Sequence, residues 1–341
     1  MTRGFGSDNH APVHPSILAS LETVNEGHSP SYGTDPITQQ AVEAFQHHFG
    51  PQAQVHFVFN GTAANVLALQ TLTSGYQSIL CSDVAHIHVD ECAAPEFAAH
   101  VKLLPRPSIQ GKMQFSDLQS SLIRRGDQHF SQIKAISLTQ PTEVGTTYSL
   151  AEIQQISEWA HANQLYVHMD GARLANAVIS LKTTFRKLCT DLQIDVVSFG
   201  GTKNGLMMGE AVIILNPKLG EHFKYRRKQL GQLPSKTRYI ACQFLSYFKN
   251  DLWLEIGTHS LAMAQQLRSS VLEIPEVIVT MPTDSNAVFA KIPKEWLRPL
   301  REKYFFYVWN EVTLECRWMT SWDTREEDII DFCRTMLELS K

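Results

Sequence analysis

The 341-residue chain sets 30 Lys and Arg against 34 Asp and Glu, a formal net charge of −4, and is 43% hydrophobic, 9% aromatic and 19% charged. That balance offers no global electrostatic case for binding nucleic acid, and so apolar a chain is not a disordered one. At roughly 150 residues per domain the length predicts about two domains around a large core.

No apolar run reaches the roughly 18 residues that cross a bilayer. Met1–Asn9 has no apolar stretch resembling a secretory signal, so a cytoplasmic protein without membrane contact is expected. The cysteines (Cys81, Cys92, Cys189, Cys242, Cys316, Cys333) are scattered and form no CxxC pair. They read as reduced thiols rather than a disulfide framework or zinc site.

Residues 1–35, rich in Gly, Pro, Ser, Asn and His, read as an irregular arm with a short amphipathic piece at Ile17–Leu21. Thr38–Phe49 has helical apolar spacing and stops at Gly50-Pro51. Val55–Phe59 reads as a strand running into Asn60-Gly61-Thr62-Ala63-Ala64-Asn65 and a helix through Leu72. Ser78–Cys81 and Ala135–Leu138 are short strands, and Ser149–Asn163 is helical. Leu165–Met169 is a strand, followed by a helix over Ala172–Val178. Asp195–Phe199 and Ala211–Leu215 are strands around a glycine-rich turn. Such alternation predicts βαβ units and a mostly parallel sheet in an α/β domain over 36–250. Beyond it, a helix through Leu267, strands at Val277–Met281, Ala287–Ile292, Phe305–Tyr307 and Thr313–Met319, and a helix from Thr324 predict a small α+β domain over 251–341.

Three stretches carry chemistry. In Ser198-Phe199-Gly200-Gly201-Thr202-Lys203-Asn204-Gly205 a strand delivers a lysine into a glycine-lined turn. Desolvation there makes a nucleophilic amine for Schiff-base formation, although a phosphate-binding or solvated lysine fits equally. In His168-Met169-Asp170-Gly171-Ala172-Arg173 a carboxylate ends a strand, where open α/β sheets bind ligands. Asp170 suits a protonated pyridine nitrogen and Arg173 a substrate carboxylate; the plain alternative is a helix cap beside a surface arginine. The helix start at Gly61-Thr62 suits a phosphate, or is simply an N-cap.

With these motifs go Ser7-Asp8-Asn9, Tyr32-Gly33-Thr34-Asp35, Ala85-His86 with Glu91, Tyr225-Arg226-Arg227-Lys228, and Arg317. In that order, over nearly the whole chain, the sequence resembles the low-specificity L-threonine aldolases and phenylserine aldolases, pyridoxal 5'-phosphate (PLP) enzymes of fold-type I (aspartate aminotransferase-like). The resemblance implies a mostly parallel seven-stranded sheet between helices and a smaller α+β C-terminal domain. It implies retro-aldol cleavage of L-threonine, L-allo-threonine or L-phenylserine to glycine and an aldehyde, in a homodimer or homotetramer with shared active sites.

By the same resemblance, Lys203 would hold PLP as a Schiff base, Asp170 would pair with the ring nitrogen and His86 would stack on the ring. Gly61 and Thr62 would bind the phosphate, helped by a basic residue of the Lys228–Arg238 segment of a neighbouring subunit, Lys228 or Arg238. Thr202 and Arg173 would stand beside the cofactor. Arg173 and Arg317 would grip the substrate carboxylate with Ser7 assisting, and Tyr32 and Asp35 would line the site, of this subunit or of its neighbour. One position departs from the family: the loop Leu138–Glu143 often carries a histidine beside the β-hydroxyl, and here that position reads Thr142. His86 or a water is then the expected base. Two rival readings remain. One is another fold-type I reaction, β-elimination or transamination. The other is a metal-dependent hydrolase using His86 and His88, which a strand would point to one side.

Overall fold

The computed structural model describes residues 3–341. Local sequence dictates the first long helix. Asp35 caps it through the Thr38 amide, Pro36 occupies its first turn, and Gly50 ends it at φ 109°, a left-handed conformation that glycine adopts at no steric cost. Its Thr38, Ala41, Phe45 and Phe49 are buried, one face at helical spacing.

In chain order the helices are α1 (Pro15–Thr23), α2 (Pro36–Phe49), α3 (Gly61–Leu72), α4 (His86–Val89), α5 (Ala94–Ala99), α6 (Phe115–Ser121), α7 (Leu150–Ala162), α8 (Leu174–Ser180), α9 (Phe223–Gln229), α10 (Arg238–Phe248), α11 (Leu252–Leu272), α12 (Lys294–Lys303) and α13 (Glu326–Leu339). The strands are β1 (Gln54–Val58), β2 (Gln77–Ser82), β3 (Lys102–Arg106), β4 (Ser108–Ile109), β5 (Lys112–Met113), β6 (Gln132–Thr139), β7 (Tyr166–Gly171), β8 (Val196–Phe199), β9 (Glu210–Ile214), β10 (Ile278–Val279), β11 (Ala287–Lys291), β12 (Tyr307–Asn310) and β13 (Glu315–Met319).

Seven strands form one sheet in the order β1-β9-β8-β7-β6-β2-β3. Only β9 runs against the rest, pairing antiparallel with both β1 and β8. Strands β8 and β9 are buried along their whole length, as expected of a sheet covered on both faces. The register pairs Thr139 with Asp170 and Asp170 with Ser198, so the C-terminal ends of β6, β7 and β8 open side by side. A second sheet, β10-β11-β13-β12, is antiparallel and sets Arg317 opposite Phe289 and Tyr307.

Helix α11 belongs to both cores. Its Leu252 and Ile256 pack with the large sheet's residues, while Met263, Ala264, Leu267 and Val271 pack with Trp318, Phe332 and Met336. Phe5 of the arm is buried in that second cluster. The expected break near residue 251 therefore falls at the start of a helix that joins two cores.

Two expectations are corrected. His86 and His88 lie on the short helix α4, not on a strand, so the two rings point about 200° apart. His88 is exposed, and a two-histidine metal pair is lost with the strand geometry. The strand expected at Phe305–Tyr307 begins instead at Tyr307, because Tyr304 and Phe306 turn inward onto Phe332. No helix among the described residues is long and apolar enough to cross a membrane.

Candidate active site

A cavity of about 370 Å³ opens over the ends of β6, β7 and β8 and the start of α3; Thr62, His86, Glu143, Asp170, Arg173 and Lys203 are in its wall. Lys203 sits in a single turn after β8. A Cβ on Gly200 would overlap the Ala172 carbonyl, so only glycine lets this loop pass so close to the β7 loop. The Asn204 amide then donates to the carbonyls of Gly200 at 2.9 Å and Ala172 at 3.2 Å, and Glu210 accepts the Gly201 amide at 2.5 Å. The lysine is thus delivered by a fixed backbone. The Arg173 guanidinium, and burial after it, lower the Lys203 pKa and favour the free amine.

Asp170 is held from two sides. Its Oδ1 accepts the Ala172 amide at 3.0 Å and its Oδ2 accepts Asn65 Nδ2 at 2.8 Å. The same Asn65 nitrogen donates to Glu91 at 2.8 Å, and Glu91 lies 2.8 Å from His86 Nδ1. One chain of hydrogen bonds therefore fixes both the carboxylate and the imidazole. The hydrogen bond to Glu91 is the main cause of a raised His86 pKa, against the opposing effect of burial. Asn65 and Glu91 stand within the motifs, but the sequence alone assigns neither a role. The available signal was that Asn65 stands one helical turn beyond Gly61, on the cavity face of α3.

At the start of α3, Asn60 takes up the Ala63 amide with its side chain and the Ala64 amide with its carbonyl. The first four amides of a helix have no intrahelical acceptor, so those of Gly61 and Thr62 face the open end, beside Thr202 in the same wall. That end of the cavity suits an anion.

The predicted carboxylate clamp is only partly there. Arg173 gives Nε and Nη2 to Asp8 at 2.6 and 2.9 Å, and Asn286 also donates to Asp8 at 3.1 Å. Burial alone would raise the Asp8 pKa, but Arg173 more than offsets it and the net shift is downward. Arg173 therefore keeps Nη1 for a ligand, not its whole fork.

Arg317 stands outside the cavity wall, stacked near Tyr307 and Trp309 at 5.6 and 4.9 Å, with Nη2 on the Gly6 carbonyl at 3.3 Å. Its Nε is buried without a partner. Burial and the neighbouring Arg173 push its pKa down to about 10, so it retains an unspent donor close to Arg173. Ser7 caps the turn Asp8–His10 through the Asn9 amide, and it is Asn9 that reaches the cavity.

Within this chain Tyr32, Lys228 and Arg238 lie away from the cavity. Tyr32 and Lys228 are on the surface with the ammonium 5.3 Å from the ring, and Arg238 donates to the Val24 carbonyl. Asp35 is a correction. It is 1% exposed and both its oxygens are used by Thr38, at 2.8 Å from the amide and 2.7 Å from the hydroxyl. A side chain so enclosed is a helix cap and lines no site. Asp35→Ala should cost about 1 kcal/mol of stability, as lost N-caps do, and leave the KM for amino acids unchanged. A raised KM with unchanged urea stability would restore Asp35 to the site.

Thr142 also faces away. Its hydroxyl bonds Thr146 Oγ1 at 2.7 Å and is buried. The next residue, Glu143, is the one in the wall: Oε1 accepts the His86 amide at 2.8 Å, while Oε2 is buried with no partner.

Comparison with known proteins agrees with this arrangement. The family model described as Beta-eliminating lyase matches residues 4–293. A low specificity L-threonine aldolase of Pseudomonas sp. (strain NCIMB 10558) is 40% identical, over 94% of this chain and 93% of that protein. Its Pseudomonas aeruginosa counterpart is 37% identical over 98% and 96%. A Leishmania major threonine aldolase structure superposes with a TM-score of 0.93 at 29% identity, covering 99% of this chain and 100% of that one. The chain belongs to the beta-eliminating lyase family and, within it, to the low-specificity L-threonine aldolases.

Proposed function

We propose that this protein is a PLP-dependent aldolase that splits L-β-hydroxy-α-amino acids, L-threonine and its allo and phenyl analogues, into glycine and an aldehyde. The observation that carries the reading is the cavity itself: a lysine amine whose pKa is lowered, a fixed carboxylate and an open helix end line a single space. That donor set fits PLP, which has one electrophilic carbon, one basic ring nitrogen and one phosphate. When bound, PLP supplies an electron sink for the pair released at Cα.

The chain's residues do the rest. Lys203 would hold the cofactor through its amine. Asp170, kept in position by Asn65, would keep a proton on the ring nitrogen. Gly61, Thr62 and Thr202 bind the phosphate, completed by Lys228 or Arg238 of a neighbouring subunit in a homodimer or homotetramer. His86 would pack against the ring. Arg173, through its free Nη1, and Arg317 orient the substrate carboxylate so that Cα–Cβ is the bond aligned for cleavage. Exposed apolar surface on Phe59 and Met208 at the rim accommodates a methyl or phenyl substituent, so phenylserine stands beside threonine as a substrate. A cytoplasmic location accords with six cysteines that are all free.

β-Elimination is the second reading, since the matching family model carries that description. Purified protein mixed in turn with L-threonine, L-phenylserine and L-serine decides between them. Glycine with acetaldehyde or benzaldehyde is the expected outcome. Pyruvate from L-serine with no glycine from L-threonine would overturn the aldolase reading.

A further inference from the structure

One acidic group in the cavity has no work in that scheme. Glu143 follows the cis bond Gln140-Pro141 at the end of β6, in the loop where a partner for the β-hydroxyl was expected. Thr142 cannot be that partner, because its hydroxyl is tied to Thr146 and buried away from the space. Glu143 has Oε1 fixed by the His86 amide and Oε2 buried without a hydrogen-bond partner, and the residue is in the cavity wall. A buried carboxylate oxygen left without a partner is costly, and a ligand hydroxyl would relieve that cost. His86 already commits its Nδ1 to Glu91, at 2.8 Å.

We infer that Glu143 is the catalytic base of this enzyme, its Oε2 taking the proton of the substrate's β-hydroxyl as the Cα–Cβ bond breaks; this rests on the aldolase reading above. The O–H proton passes to Oε2, and the O–H electron pair becomes the π bond of the aldehyde. The Cα–Cβ pair stays with the glycine fragment, which is protonated at Cα. One amino acid thus gives glycine and one aldehyde with no further reactant. Burial pushes the Glu143 pKa up to about 7, into the range where a carboxylate serves as a base near neutral pH. His86, Glu91, Asp170, Arg173 and Lys203 are ionisable groups that share its cavity.

The test compares two reactions of one holoenzyme. Cleavage of L-threonine needs a base for the β-hydroxyl, whereas exchange of the glycine α-proton into deuterated water does not. In Glu143→Gln, which keeps size and shape, cleavage should fall on the order of 100-fold or more. Glycine exchange and the cofactor absorbance should change far less, and Glu143→Asp should recover part of the cleavage. Wild-type cleavage in Glu143→Gln, or an equal fall in both reactions, would overturn the assignment. A wild-type protein that makes no glycine from L-threonine would instead sink the aldolase reading itself.

Should Glu143→Gln lose its cofactor, wild-type binding decides. Titration of the cofactor band should show L-serine binding tighter than L-alanine, which differs by the hydroxyl alone. Equal affinities would overturn the proposal.

Discussion

Replacing Lys203 by Ala is expected to remove both the visible absorbance of a lysine-bound cofactor and the release of acetaldehyde from L-threonine. The rate loss should be on the order of 10³-fold or more, because deleting a covalent nucleophile closes a route rather than weakening a contact. The fold should survive. The turn is held by Gly201 on Glu210 and by Asn204 on Gly200 and Ala172, none of which involves the lysine side chain. Arg173 is the largest cause of the lowered Lys203 pKa, with burial behind it, so the charge that prepares the amine comes from the residue expected to meet the substrate carboxylate. Absorbance and aldehyde release together make the check. A Lys203→Ala protein that keeps the band and full turnover would remove this lysine from the chemistry and leave the cavity unexplained.

How much of this was legible beforehand follows from sequence separation. Asp170 and Lys203 were found because each ends a strand in a short local pattern, and the sheet register then puts Thr139, Asp170 and Ser198 side by side. The α3 start was found for the same reason. Partners brought together across the fold were not legible. Asn65 meets Asp170 over 105 positions, and Asp8 meets Arg173 over 165; no periodicity encodes either pairing. His86 and His88 were read at strand spacing, yet Ala85 opens a single helical turn and the pair separates. Asp35 looked like a site residue because of the motif around it, whereas its oxygens are spent locally on Thr38. In the β6 loop Thr142 stands where the family often has a histidine and the expected base was His86 or a water, yet it is the next residue, Glu143, that the packing turns into the cavity wall. Local patterns place backbones well; which face a loop side chain takes is set by the packing around it.

The Asp8–Arg173 pair carries the second large effect. Asp8→Ala should destabilise the protein by about 3–5 kcal/mol, the usual result of leaving one half of a buried ion pair unpaired. The loss spreads because the arm ties two cores together. Phe5 is buried among the C-terminal residues, its amide donates to Phe305 at 2.8 Å and its carbonyl accepts Met319 at 2.8 Å. Three residues on, Asp8 holds Arg173 of the large domain and Asn286 of β10–β11's far end.

The pH dependence has a fixed sign. The folded pKa of Asp8 lies below its ordinary 3.8, so its contribution is complete above about pH 4 and fades as pH falls through the lower folded value. Urea unfolding of wild type and Asp8→Ala from pH 7 down to 3 should therefore show two curves that converge in acid. Asp8→Asn, which keeps the shape but not the charge, should lie between them at neutral pH. A loss below about 1 kcal/mol at pH 7, or curves that stay parallel into acid, would mean that Arg173 finds another partner. It would then be free to offer its whole fork to the substrate carboxylate, as the sequence alone suggested.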